Sequence, residues 1–206
     1  MIVSFNFYYA KPGLEAAVLR QRLRACGVRE ALNVPRGRVL ARISGTPDLP
    51  DVIWEQRFAD VAEHLADMDV RAASHEFESI RAGMRKLYRR FERPLFEICG
   101  DATSKVDAPA QSFGIVTLDW IFCSAAEAHP IAELLQQDAA HDGTSRLMRL
   151  TTPGNDLPEL VWQREYASTE RMEAAQAKSV AGNGQTLQRA VAALARRVEH
   201  SVWSVA

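Results

Sequence analysis

His75 is the histidine whose position in this 206-residue sequence most favours a chemical role. Near neutral pH an imidazole can serve as a general base, a haem ligand or a hydrogen-bond partner for a substrate. The structural alternative stays open: His75 caps the helix expected to begin near Ser74, or lies exposed in its first turn. His64, His141 and His200 have no partner that the sequence identifies. We find no three or four side chains that would converge on an ion, and so predict no metal site.

The composition argues against several classes of partner. The formal net charge is -1 and lysine and arginine are spread along the chain, so neither nucleic acid nor an anionic membrane is expected as a partner. The first ten residues have the pattern of a strand rather than of a signal peptide, and no apolar run reaches the roughly 20 residues that span a bilayer. The isolated Cys26, Cys99 and Cys123 are expected to be reduced. We therefore expect a cytoplasmic protein.

The chain contains an internal repeat, which must be identified before any fold is assigned. Three segments recur in the same order: DLPDVIW at 48–54 as DLPELVW at 156–162, IVSFNF at 2–7 as IVTLDW at 115–120, and RRFE at 89–92 as RRVE at 196–199. The offsets drift by only a few residues, as small loop insertions would produce. We therefore predict a tandem duplication of one unit of about a hundred residues.

Each copy is predicted to fold as β-α-β-β-α-α-β. Residues 1–98 would form one ferredoxin-like repeat, 99–112 a small and polar linker, and 113–206 a second ferredoxin-like repeat. A long helix in the first copy is expected to carry, at helical spacing, Phe77, Ile80, Met84, Leu87, Tyr88 and Phe91. Pro94 would end this helix and Leu95–Ile98 would be the closing strand. The second copy would have Leu187, Val191, Leu194 and Val198 in its helix and close with Val202–Val205.

The first strand of each copy has two different faces. The helices of such a unit cover one face of the sheet, and we expect that face to carry Val3, Phe5, Phe7 and Tyr9, or Val116, Leu118, Trp120 and Phe122. The opposite face mixes apolar and polar residues: Ile2, Ser4, Asn6 and Tyr8, or Ile115, Thr117, Asp119 and Ile121. A mixed face suits two sheets packed against each other around a cavity.

The segment from Val52 to His75 is similar to part of the dimeric α/β-barrel superfamily, which includes the antibiotic-biosynthesis monooxygenases, the haem-degrading monooxygenases and the NIPSNAP proteins. A strand, VIWEQRF, ends in an aromatic residue and is followed by a capped helix and then by the small-residue turn and histidine of RAASH. The resemblance extends over both copies in element order. It implies an α+β fold in which two tandem ferredoxin-like repeats pack sheet to sheet as a barrel within one chain, as a monomeric pseudo-dimer or a homodimer.

The same resemblance suggests where a pocket would lie. In the haem-degrading branch an asparagine and a histidine at about the places of Asn6 and His75 belong to the pocket. That branch also has a tryptophan in the intervening helix, which this chain lacks. The second copy has Asp119 opposite Asn6 and Asn183-Gly184 opposite His75, so a pocket histidine would belong to the first copy alone.

The leading functional hypothesis is a cofactor-independent monooxygenase that acts on a hydrophobic small molecule, aromatic or polyketide-like, inside the barrel. Asn6 and His75 would be catalytic, and Tyr8, Trp54 and Asp119 would contact the substrate. Trp54 recurs in the second copy and could equally be a packing residue. The alternatives are a non-enzymatic NIPSNAP-like binding or scaffold protein and a haem-binding protein, since the fold alone does not decide function.

Overall fold

The computed structural model describes residues 1–101, 113–139, 145–152, 156–181 and 184–206. Two compact units are present, each containing both helices and strands. Unit 1 comprises residues 1–42, 47–96 and 206, and unit 2 comprises residues 43–46 and 97–205. No helix in the described ranges is long and apolar enough to cross a membrane.

The elements of unit 1 follow the predicted order as far as the third helix, after which two strands replace the single closing strand that was predicted. The elements are β1 (Ile2–Ala10), α1 (Glu15–Ala31), β2 (Arg38–Ser44), β3 (Val52–Phe58), α2 (Val61–Ala72), α3 (His75–Met84), β4 (Tyr88–Glu92) and β5 (Leu95–Asp101), of which β2 and β5 end in unit 2. Helix α2 begins with the predicted capping interaction, in which Asp60 accepts a hydrogen bond from the Glu63 backbone at 2.9 Å. Helix α3 is capped in the same way, since the Ser74 hydroxyl accepts a hydrogen bond from the Phe77 backbone N–H at 3.2 Å.

The elements of unit 2 repeat this order with one continuous closing strand. They are β6 (Ile115–Phe122), α4 (Ala125–Ala139), β7 (Ser145–Leu150), β8 (Leu160–Tyr166), α5 (Thr169–Ala181), α6 (Gly184–Leu194) and β9 (Arg197–Val205).

The strands of the two units also pair in the same register. The central strand β1 is antiparallel to β3 and β4, and β6 is antiparallel to β8 and β9. Asn6 lies opposite Trp54, and Asp119 lies opposite Trp162. The duplication itself stays a prediction about ancestry, but these registers identify equivalent positions in the two units.

The prediction of which sheet face meets the helices was wrong in both units. In unit 1, Tyr8 and Trp54 pack against Val18 of α1 and Met84 of α3. In unit 2, Ile121 and Trp162 pack against α4 and α6. The helices therefore cover the mixed face, and Val3, Phe5, Phe7 and Tyr9 lie on the other. Alternation could not separate the faces, because every residue of β1 from Val3 to Ala10 is buried.

The predicted long helix of the first copy was also wrong beyond Met84. Residues 88–92 form strand β4 instead. The pairing of β4 with β1 shifts register between Tyr9 and Ala10, so that Tyr9 faces Arg90 whereas Ala10 faces Tyr88. The extra residue puts Tyr88 and Phe91 on one side of the strand, where both contact Tyr8. Because Tyr88 and Phe91 are three residues apart and lie on one side, their spacing matched that of a helix and led to the wrong prediction.

The ends of the closing strands also differ from the predictions. Strand β5 extends from Leu95 to Asp101, so the first three residues of the predicted linker belong to it, whereas 102–112 lie outside the described residues. Pro94 separates β4 from β5 rather than ending a helix, and its carbonyl accepts a hydrogen bond from the Phe5 backbone at 3.1 Å. Strand β9 already begins at Arg197, so Val198 is a strand residue.

Candidate functional site

Each unit contains a pocket between its sheet and its helices. The pocket of unit 1 has a volume of about 370 Å³ and is lined by residues of β1, α1, α2, α3 and β4, together with Arg93. The pocket of unit 2 has a volume of about 480 Å³ and is lined by residues of β6, α4, β8, α5, α6 and β9. We call the first the arginine pocket and the second the histidine pocket, after the residues described below.

Three side chains, Asp119, Arg164 and His200, form a hydrogen-bonded network in the histidine pocket. Asp119 Oδ1 lies 2.6 Å from His200 Nδ1, and Asp119 Oδ2 accepts a hydrogen bond from Arg164 at 2.6 Å. Strand register produces this arrangement: His200 of β9 pairs directly with Asp119 of β6, and Arg164 pairs with Thr117 two residues away on the same face. The network is therefore built into the sheet rather than into a loop.

The electrostatics of this network fix the roles of its members. Burial opposes ionisation of Asp119, but Arg164 and His200 together lower the pKa of that carboxyl below its ordinary value. A carboxylate can only accept hydrogen bonds, so His200 Nδ1 donates to it. In the neutral imidazole Nε2 then carries the lone pair, and among the described residues no side chain or backbone group bonds to Nε2. His200 is 42% exposed and can meet a ligand as a base.

The walls of the histidine pocket are mainly apolar. They include Ile121, Leu135, Trp162, Leu187 and Val191, with several amide side chains from α5 and α6. The indole Nε1 of Trp162 is buried and has no hydrogen-bond partner in the described part of the chain. A buried donor of this kind favours a ligand that presents an oxygen to it.

The arginine pocket combines aromatic rings with guanidinium groups. Its lining includes Tyr8, Phe77, Tyr88 and Phe91 together with Arg22, Arg71, Arg81, Arg85 and Arg93. Asn6 lies in its floor, where its Nδ2 donates to the Tyr8 hydroxyl at 3.2 Å and its Oδ1 accepts from Arg93 at 3.1 Å. The nitrogen and the oxygen of the Asn6 side-chain amide therefore both form hydrogen bonds within the pocket wall.

The structure separates the residues that the sequence suggested as a single site. Asn6 and Tyr8 line the arginine pocket, whereas Asp119 lines the histidine pocket. Trp54 is not among the lining residues of the arginine pocket, and its indole donates to the Arg36 carbonyl at 3.1 Å. His75 is exposed at the first turn of α3 and lines neither pocket. Asn6 and His75 are not brought together, and we assign no catalytic role to His75.

His200 lines the histidine pocket, although the sequence did not identify it as a site residue. The predicted closing strand began at Val202 and so excluded it. Read with a period of two from Arg197, the strand places Val198, His200 and Val202 on one side and Glu199, Ser201 and Trp203 on the other. Only the pairing of β9 with β6 then identifies Asp119 as the partner of His200.

No cluster of three or more histidine, cysteine or acidic side chains that could hold a metal ion is present within the described ranges. Haem iron is commonly held by an imidazole, although other residue types including tyrosine also serve as its axial ligand. The histidine pocket offers His200, and its guanidinium, from Arg164, binds Asp119. The arginine pocket offers guanidinium groups and tyrosines, but no histidine is among its lining residues. Among the described residues, neither pocket therefore combines a histidine with several guanidinium groups.

Comparison with known proteins gives structural relatives only. No family model matches the sequence, and no curated protein matches it. The chain is similar to the crystal structure of an anthrone oxidase-like protein, with 10% identity and a TM-score of 0.65 over 100% of this chain and 90% of that one. It is also similar to a candidate monooxygenase from Fusobacterium nucleatum, with 8% identity and a TM-score of 0.68 over 99% of this chain and 91% of that one.

A mutant chlorite dismutase from Candidatus Nitrospira defluvii is a more distant match, with 12% identity and a TM-score of 0.51 over 98% of this chain and 91% of that one. Likeness at such identities shows the fold and not the activity. The chain therefore has the α+β fold of these solved structures, which confirms the fold that the sequence resemblance predicted.

Proposed function

We propose that this protein binds a hydrophobic aromatic or polyketide-like molecule in the histidine pocket and oxygenates it without a cofactor. The observation that carries the proposal is the 2.6 Å contact between Asp119 and His200 Nδ1. This contact presents the other imidazole nitrogen, as a base, beside the mainly apolar walls of the histidine pocket. A carboxylate that holds a histidine in one tautomer is a recurring way to orient a general base.

The reaction would begin with removal of a proton from the substrate by His200 Nε2. The substrate must therefore carry an acidic C–H or O–H group conjugated with its aromatic rings. Its anion is electron-rich and can reduce dioxygen, so that one oxygen atom enters the product and the other leaves as water. The Asp119 carboxylate would stabilise the imidazolium formed by proton transfer, and the Trp162 indole N–H would donate to the substrate oxygen that gains negative charge.

The names of two structural relatives support this class of chemistry. One is called anthrone oxidase-like and another is a candidate monooxygenase. The pocket volume of about 480 Å³ lies in the range of small-molecule sites, and its apolar walls suit a ring system with few polar groups. The non-enzymatic binding or scaffold role remains the alternative, since the same pocket could hold a ligand without turnover.

Anthrone is a suitable probe, because its oxidation to anthraquinone consumes one dioxygen and releases one water. We expect the full chain to accelerate oxygen uptake and anthraquinone formation above the spontaneous rate. His200→Asn should lower the rate by about 100-fold or more, because a positioned base contributes about 10² to 10⁴ in rate. Asp119→Asn should lower it too, because an amide does not stabilise the imidazolium.

The matched control is His129→Asn, which removes an exposed histidine of α4 that does not line the histidine pocket. It should leave the rate unchanged, and so should a chelator. Equal rates for the wild-type protein and His200→Asn would contradict the assignment of the base. Saturable binding of anthrone without oxygen uptake would favour the scaffold alternative.

A further inference from the structure

We infer that the arginine pocket of unit 1 is a second ligand site, which binds a planar aromatic carboxylate. The first observation concerns Arg22 of α1. Its side chain is only 3% exposed, and its Nε has no hydrogen-bond partner in the described residues. Its other nitrogens make only long contacts, to the Tyr8 hydroxyl at 3.5 Å and to the Cys26 sulfur at 3.8 Å. A buried guanidinium so weakly satisfied requires an anion.

Arg93 repeats this situation on the opposite wall. Its Nε donates to the neutral Asn6 amide at 3.1 Å, and in the described ranges it forms no ion pair with a carboxylate. Burial lowers the pKa of Arg93, and although Tyr8 opposes this, the neighbouring Arg81 and Arg22 lower it further. Arg22 and Arg93 thus repel each other, and no carboxylate of the described residues forms an ion pair with either of them.

Two other buried arginines of this unit, Arg29 and Arg71, differ from Arg22 and Arg93 in that each forms an ion pair with a carboxylate. Arg29 is fully buried and binds Asp67 through both terminal nitrogens, the closer at 2.6 Å. Arg71 binds the same carboxylate at 2.8 Å. Asp67 is therefore already shared by two guanidinium groups and cannot neutralise Arg22 as well. Burial lowers the pKa of Arg71 to about 10, and Arg93, Arg29 and Arg22 contribute despite the presence of Asp67.

The remaining lining residues supply no counter-ion. Asp69 is the acidic residue among those that line the pocket, and it is exposed and makes no ion pair with any described residue. Burial raises the pKa of Tyr88, as does the proximity of Tyr8, so its hydroxyl stays neutral. The positive charge of the pocket is therefore left for a ligand to balance.

The pocket walls identify the rest of the ligand. The rings of Tyr8, Tyr88 and Phe91 lie 5.2 to 6.0 Å apart and form one aromatic wall. Planar ligands stack on such a wall. A guanidinium fork binds a carboxylate through two parallel hydrogen bonds. A volume of about 370 Å³ admits one fused ring system, and we therefore assign a carboxylate carried on such a ring.

The test is binding of 2-naphthoate to the full chain by isothermal titration calorimetry, compared with the neutral 2-naphthamide of the same shape. We expect saturable binding of the acid and at least about tenfold weaker binding of the amide, since hydrogen bonds to charged groups contribute more than neutral ones. Arg22→Met and Arg93→Met should each weaken naphthoate binding by about tenfold or more.

The matched control is Arg24→Met, two residues from Arg22 on the same helix. Arg24 is 60% exposed, pairs weakly with Glu76 at 3.9 Å and does not line the pocket. It should bind naphthoate as the wild type does. His200→Asn should also bind normally, which separates this site from the proposed function of the histidine pocket.

Three outcomes would overturn the inference: equal affinity for the acid and the amide, unchanged affinity in both arginine variants, or no saturable naphthoate binding at millimolar concentrations. Thermal unfolding of each variant distinguishes a lost site from a lost fold. If Arg22→Met does not fold, the comparison of acid with amide and the Arg93→Met variant still decide.

Discussion

The two pockets occupy equivalent positions in their units but treat charge in opposite ways. In the histidine pocket Asp119 binds His200 of the closing strand, and in the arginine pocket Asn6 binds Arg93. The registers equate these pairs: Asn6 and Asp119 each lie opposite a tryptophan, and Arg93 and His200 each follow a glutamate that pairs with β1 or β6.

In the histidine pocket a carboxylate, that of Asp119, thus contacts a histidine. At the equivalent place in the arginine pocket a neutral amide, that of Asn6, contacts an arginine. In the first arrangement the negative charge of Asp119 is balanced by Arg164, and Nε2 of His200 is left available for proton transfer. The second leaves a positive charge that the protein does not balance. Two units with equivalent strand registers therefore carry different charges at two equivalent positions, Asn6 or Asp119 and Arg93 or His200. Variants in and around the two pockets test that contrast, from the largest expected effect to the smallest.

The largest effect should separate a paired buried arginine from an unpaired one. Arg29→Met should lower the free energy of unfolding by about 3 kcal/mol, because it breaks a buried ion pair. Arg22→Met keeps the packing on Trp54 and removes an uncompensated charge, so it should stay within about 1 kcal/mol of wild type or be more stable. Urea unfolding measures both. Equal destabilisation by the two variants would show that the Arg22 charge is satisfied within the protein.

Exchanging the amide for a carboxylate should make the arginine pocket resemble its counterpart. Asn6→Asp would place a fixed negative charge beside Arg93, and we expect it to weaken 2-naphthoate binding by about 30-fold, equivalent to about 2 kcal/mol. Calorimetry measures the loss, and Asn6→Ser serves as a neutral control. An Asn6→Asp protein that binds naphthoate as tightly as wild type would mean that Asn6 and Arg93 do not contact the ligand carboxylate.

The smallest effect should appear in the pH dependence of stability. The folded pKa of Asp119 lies below its ordinary value of 3.8, because Arg164 and His200 outweigh the effect of burial. Its contribution to stability is therefore present above about pH 4 and is lost as the pH falls through the lower folded value. Urea midpoints measured down to pH 2 should fall less steeply for Asp119→Asn than for wild type. Parallel curves for the two proteins would contradict this assignment.

The sequence predicted the fold, and the element order apart from strand β4, because both depend on short-range patterns and on the repeat. It did not predict which sheet face the helices cover, because both faces of β1 are buried and alternation then carries no information about direction. Asn6, Tyr8 and Asp119 were identified as pocket residues from the mixed character of that face. Both His200 and the separation of the residues into two pockets depend on which strands pair, and no local pattern encodes the partner of a strand.

The register shift in β4 has a consequence for how this pocket can change over evolutionary time. A single extra residue, Arg89, brings the Tyr88 ring to the same side as Phe91. If β4 became regular with all its residues kept, Arg89 would pair with Ala10 and the Tyr88 ring would turn to the other side of the strand. Deletion of Arg89, by contrast, would leave Tyr88 and Phe91 two residues apart and on the same side, so the aromatic wall can survive the loss of this codon but not the loss of the bulge alone.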